Sequence, residues 1–112
     1  MSRSHRKEAD IEAVFVKEVK ALGGRAYKWV SPGNSGVPDR VVVLPCGRVW
    51  FVELKTDTGQ LTALQRNQIG KLQKCEANVF VLRGITGLVE FFQMVGEDET
   101  AERLANRYEV QM

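Results

Sequence analysis
The chain has 112 residues, 44% of them hydrophobic and 27% charged, with a formal net charge of +2. That is the size and balance of one compact domain, 1–112, and it excludes a disordered chain or a collagen-like architecture. No apolar run reaches the ~20 residues a membrane span needs, and the basic N-terminus MSRSHRKEAD has no apolar stretch behind it, so the expectation is a soluble, cytoplasmic protein with no membrane partner.

Cys46 and Cys75, with the lone His5, are too few for a four-coordinate structural zinc and are read as two free thiols. The charge is unevenly spread. Residues 1–55 hold 10 Lys/Arg against 6 Asp/Glu, whereas residues 56–112 hold 6 against 8. A basic half of this kind either faces a polyanion or is an ordinary solvated surface.

In chain order, residues 6–22 predict a helix whose apolar stripe is Ile11, Phe15, Val19 and Leu22, stopped by Gly23-Gly24. A short strand follows at 25–30, then the loop Ser31-Pro32-Gly33-Asn34-Ser35-Gly36. Val37–Lys55 predicts a hairpin, because the β-branched runs VVVL and VWFVELK flank Pro45-Cys46-Gly47. Leu61, Leu64, Leu72 and Cys75 predict a second amphipathic helix, and Val79–Leu82 a buried strand. Residues 85–95 read as a short helix through Leu88, Phe91, Phe92 and Val95, and residues 97–107 as an acidic, mostly exposed one within an acidic C-terminal stretch, 97–112. The core is then expected within about 8–95. The order αβββαβα predicts an α/β fold, a central mixed sheet flanked by helices.

The hairpin turn sets a register. With Pro45 in the second position of a type I turn and Gly47 in the left-handed one, Leu44 lies opposite Arg48, Val43 opposite Val49, Val41 opposite Phe51 and Asp39 opposite Glu53. Two carboxylates then face each other with Cβ atoms roughly 4.5–5.5 Å apart, which is destabilising unless a cation intervenes. Magnesium suits that arrangement, because it takes one or two carboxylates together with waters and phosphate oxygens. Strand alternation puts Lys55 on the same face as Glu53.

On the first helix, Glu8 projects within about 30° of the apolar centre and Glu12 about 70° away, so Glu8 is the better inward-pointing acid and Glu12 the alternative. On the second helix Gln65 and Gln68 share the face of Leu61 and Leu72, and an amide buried there needs partners. Tyr27, Trp29 and Trp50 are either base-stacking groups or core. The sequence has no GxxxxGK, GxGxxG or HExxH, so no nucleotide cofactor is expected, and a hydrolytic triad would have to use His5.

GVPD at Gly36–Asp39 and VELK at Val52–Lys55 resemble the PD-(D/E)xK nuclease motif. Over residues 8–92, from Glu8-Ala9-Asp10-Ile11 through ALGG, KWVSPGNSGVPDR and FVELK to Gln65, the chain resembles the virus-type replication-repair nuclease (VRR-NUC) domain in its stand-alone, phage-type form. The resemblance implies a restriction-endonuclease-like fold, with Mg2+ or Mn2+ bound by Asp39, Glu53 and the carbonyl of Leu54. It also implies that Lys55 orients or activates the attacking water and that Glu8 and Gln65 complete the site. Stand-alone members of that family act as homodimers on branched DNA such as four-way junctions, and a phage-encoded one would work in the host cytoplasm.

The function expected is therefore metal-dependent, structure-selective hydrolysis of DNA phosphodiesters. Arg25, Lys28, Arg40 and Arg48 are candidate phosphate contacts, chosen by proximity in sequence. The 88–95 and 97–107 segments are candidate dimer surfaces. The rival readings are a monomeric flap or nicking nuclease working with a helicase, and a non-catalytic DNA-binding module.

Overall fold
The computed structural model describes residues 6–112; His5 lies outside them. The elements are α1 (Glu8–Ala21), β1 (Arg25–Lys28), β2 (Arg40–Leu44), β3 (Arg48–Lys55), α2 (Ala63–Lys74), β4 (Val79–Arg83), α3 (Gly84–Met94) and α4 (Asp98–Tyr108). The sheet order is β1-β2-β3-β4, antiparallel through the first three strands and parallel between β3 and β4. This is the expected mixed sheet, with α2 as the crossover that a parallel pair requires.

Gly23, at φ +85°, ends α1, and the N–H of Gly24 returns to the carbonyl of Val19 at 3.0 Å. This is the left-handed exit that glycine permits. It delivers the chain into β1 beside β2. The register between β2 and β3 is the one predicted: Leu44 opposes Arg48, Val43 opposes Val49, and Val41 opposes Phe51. The turn itself differs from the expectation. Cys46 as well as Gly47 takes positive φ (70° and 71°), so the connection is not the type I turn read from Pro45 and Gly47.

Alternation along β3 divides its side chains between two faces. Val52 and Leu54 are fully buried in the main hydrophobic cluster, which they share with residues of α1, α3 and α4. Phe15 of α1 and Phe91 of α3 meet edge-on at 5.5 Å, with Trp50 at 5.8 Å and Phe80 at 5.9 Å from the Phe91 ring. Phe51, Glu53 and Lys55 point to the opposite face.

Four expectations are corrected. The cluster takes in Ala101, Leu104 and Ala105, so the core extends past residue 95 and α4 is half-embedded, its acids on the outer side only. α3 is core: Leu88, Val89, Phe91 and Phe92 are all buried, which removes 88–95 as a free dimer surface. In α2 only Ile69 is buried; Leu64 is 57% exposed and Cys75 lies at the surface. β4 is half-buried, with Leu82 alone fully inside. No described helix is long and apolar enough to cross a membrane.

Candidate active site
Glu53 stands at the centre. It lies on the face of β3 away from the main core, yet it is 1% exposed. Burying a carboxylate is costly unless its oxygens find partners. Oε2 has two: Gln65 Nε2 donates to it at 3.1 Å, and Lys55 Nζ lies 3.7 Å away. Oε1 is buried with no hydrogen-bond partner among the described residues.

Asp39, just before β2, is brought to the same place from the other arm of the hairpin. Its backbone carbonyl accepts from the Trp29 N–H at 2.8 Å, and its Oδ2 accepts from the Leu54 N–H at 3.0 Å. That second bond fixes the Asp39 carboxylate beside the Glu53–Lys55 segment. Burial, reinforced by the charge of Asp39 and opposed by Lys55, pushes the Glu53 carboxyl up to about 7.

The two helix-1 acids separate cleanly. Glu12 pairs with Arg40, whose Nε and Nη2 each lie 3.1 Å from Oε2. Glu8 is drawn to the site: its carboxyl is raised by partial burial and by the charge of Asp39, while Lys55 pulls it down. Glu8 is thus within electrostatic reach of Asp39 and Lys55.

Gln65 sits in the first turn of α2. Thr62 caps that helix through its side chain, accepting from the Gln65 N–H at 3.1 Å, and Gln65 Oε1 accepts from the Thr62 N–H at 2.9 Å. This capping box holds the amide while its other end reaches Glu53. Gly36, at φ +91°, lies so close to the start of α2 that a Cβ there would come within 2.5–2.8 Å of the Leu64 and Gln65 backbone. The SPGNSG loop is thereby pressed onto the helix that supplies Gln65. Gln68 is half-buried.

The expected phosphate contacts scatter. Lys28 is exposed at the end of β1 nearest Asp39. Arg25 is at the other end of β1, donating to the Gly24 carbonyl. Arg40 is spent on Glu12 and the Ala26 carbonyl, tying α1 to the sheet. Arg48 opens β3, roughly 23 Å from Lys55 at strand rise, and bonds Val95 and Glu97. Arg40 and Arg48 are thus structural braces. Among the aromatics, Trp29 stacks on Phe51 at 5.2 Å and Tyr27 is 60% exposed, whereas Trp50 faces Phe91 in the core.

A cation that the sequence reading missed is Arg83, which the parallel pairing sets directly beside Lys55. Its Nε donates to the Gly59 carbonyl at 3.3 Å. Only the β3–β4 register places it there, and nothing local in the sequence signals that register. Thr62 was also missed, although the T-x-x-Q spacing of a capping box was available, and Gly36 was read as part of the loop and the GVPD motif but not as a contact of α2.

Among the described residues no group of three or more His, Cys, Asp and Glu side chains is gathered as a metal nest. What the site offers is two carboxylates from neighbouring strands. The buried, unpartnered Glu53 Oε1 is the kind of oxygen donor a hard divalent cation takes.

The family model for the VRR-NUC domain matches residues 4–85. The chain belongs to the VRR-NUC nuclease family. A relative from Acyrthosiphon pisum secondary endosymbiont phage 1, named "Putative nuclease p44", is 45% identical over 76 residues, covering 68% of this chain and 82% of that protein. A solved structure titled "VRR_NUC domain" superposes with a TM-score of 0.66 at 28% identity, over 90% of this chain and 96% of its own. A second, titled "VRR_NUC domain protein", gives 0.67 at 18% identity over 85% and 92%, a likeness of fold. The mixed sheet flanked by helices that the element order predicted is therefore the VRR-NUC fold.

Proposed function
We propose that this VRR-NUC protein, carried by the one unit 1–112, is an endonuclease that hydrolyses DNA phosphodiester bonds with Mg2+ or Mn2+. The observation that carries the reading is the convergence of Asp39, Glu53 and Lys55, with one Glu53 oxygen buried and unpartnered. Asp39, Glu53 and the Leu54 carbonyl would hold the ion. A divalent ion bound there supplies positive charge to the developing phosphorane and acidity to a water molecule.

The chain's own residues do the rest. Lys55 Nζ, 12% exposed by side chain and 3.7 Å from Glu53, stands at the mouth of the pair where it orients the attacking water. Gln65 keeps Glu53 Oε2 occupied. Glu8, its carboxyl raised by partial burial and by the charge of Asp39, completes the acidic side of the site. Lys28 at one flank and Arg83 at the other are the cations placed to meet phosphates next to the cut.

The substrate we favour is branched DNA such as a four-way junction, cut by a homodimer. Among the described residues no element forms a major-groove recognition module, which favours reading of structure over sequence. Two-fold symmetry of a junction also calls for two copies to cut opposing strands. The test is cleavage of labelled duplex, flap, splayed-arm and four-way-junction DNAs with Mg2+, Mn2+ or EDTA. Metal-dependent cutting that Asp39→Ala abolishes supports the reading; DNA binding without cleavage in every metal overturns it.

A further inference from the structure
Gln65 answers two demands, of which the helix cap imposes only one. A capping box takes Glu or Gln equally, because all it needs three residues after the cap is an acceptor oxygen. Glutamate at 65 would close the box with the Thr62 N–H but would set another negative charge against buried Glu53. Only an amide accepts from Thr62 at 2.9 Å and donates to Glu53 Oε2 at 3.1 Å at the same time.

The two ends of that amide are told apart by the Thr62 N–H. A backbone N–H can only donate, so it fixes Oε1 toward the cap and turns Nε2 toward the carboxylate. Gln65 and Lys55 then both approach Glu53 at Oε2, and Oε1 is the oxygen left bare. Close packing of Gly36 on the Leu64–Gln65 backbone keeps this first turn from sliding.

We propose that the backbone N–H of Thr62 is a positioning group for the site: acting through Gln65, it selects which Glu53 oxygen is hydrogen-bonded and which is left for the metal. The inference rests on the reading of Asp39 and Glu53 as metal ligands. Thr62 itself touches neither ion nor substrate.

Proline removes the N–H while the φ of −73° at Thr62 already suits its ring, but it also removes the Oγ1 that accepts from the Gln65 N–H. Thr62→Ala, which loses that hydroxyl alone, is the comparison and is expected to bind Mn2+ like wild type. Mn2+ is titrated calorimetrically into the full chain. Thr62→Pro is expected to weaken Mn2+ binding about tenfold, the usual scale for losing an outer partner of a metal ligand. Gln65→Ala does the same, and the double variant loses no more than either single. Ile69→Val, which loosens α2 at its buried position, binds Mn2+ like wild type.

A folded Thr62→Pro protein with wild-type affinity, or additive losses in the double variant, overturns the inference. Where Thr62→Pro does not fold, hydrogen exchange decides. A Thr62 N–H protected in wild type and unprotected in Gln65→Ala supports the inference; equal exchange in both overturns it. Asp39→Ala separates the two levels. Loss of Mn2+ binding in Asp39→Ala alone defeats the positioning role, and retention of binding in Asp39→Ala removes the metal reading beneath it.

Discussion
Glu53 and Lys55 sit two residues apart on one strand, and the proposed mechanism gives them opposite tasks, so their variants should fail differently. Lys55→Ala is expected to lower cleavage about a hundredfold or more, the scale of a lost proton-handling or water-orienting group, while calorimetry shows Mn2+ still bound. Glu53→Gln is expected to lose Mn2+ binding. Its stability also carries a pH signature. The unfolded Glu53 releases its proton near 4.5 and the folded one near 7, so between those values the folded chain holds the extra proton and rising pH favours unfolding. In EDTA, thermal melts should therefore show Glu53→Gln gaining on wild type as pH rises from 4.5 through 7. A difference between the two that is flat in pH contradicts the buried, raised carboxyl. At this scale the sequence was legible where the chemistry is local to one hairpin, as with Asp39, Glu53 and Lys55. It was not legible for Arg40 and Arg48, whose partners Glu12, Val95 and Glu97 are 28 to 49 residues away.

Elements place those residues, and the least buried helix does much of the placing. α2 reads as amphipathic from Leu61, Leu64, Leu72 and Cys75, yet it buries only Ile69, because its first turn serves Gln65 and the Gly36 loop more than the core. Hydrophobic spacing reports where a helix is expected to pack and says nothing about a face held by caps and backbone contacts. Gly36→Ala is expected to destabilise the fold by about 1–3 kcal/mol, from the strained φ and the clash with α2. Chemical denaturation measures that cost, and weakened Mn2+ binding should accompany it. The bidentate Arg103–Glu18 pair, at 2.8 and 3.0 Å, ties α4 to α1. Being half-exposed on the arginine side, it is worth about 1 kcal/mol. Phe91, where α1, α3 and the sheet meet, is worth about 4 kcal/mol against alanine. The β2–β3 register was legible because β-branched runs and a Pro-Cys-Gly turn leave one pairing. The left-handed Cys46 was not, since the glycine beside it is the obvious place for positive φ.

For the whole molecule, one sheet end gathers the proposed site: α1 contributes Glu8, the hairpin Asp39, Glu53 and Lys55, α2 Gln65, and β4 Arg83. The element order announced this α/β arrangement, and the family match covers most of it. Assembly was less legible, because the apolar 88–95 segment that looked like an interface is the core. A homodimer remains our proposal, and sedimentation at micromolar concentration should give twice the chain mass; a monomer that cuts junctions equally well contradicts it. The central claim is tested most directly by one assay, a four-way junction incubated with wild type or Asp39→Ala in Mn2+ or EDTA. Wild type is expected to cut in Mn2+ and not in EDTA, and the variant in neither. Cleavage that persists in EDTA, or in Asp39→Ala with Mn2+, would contradict it.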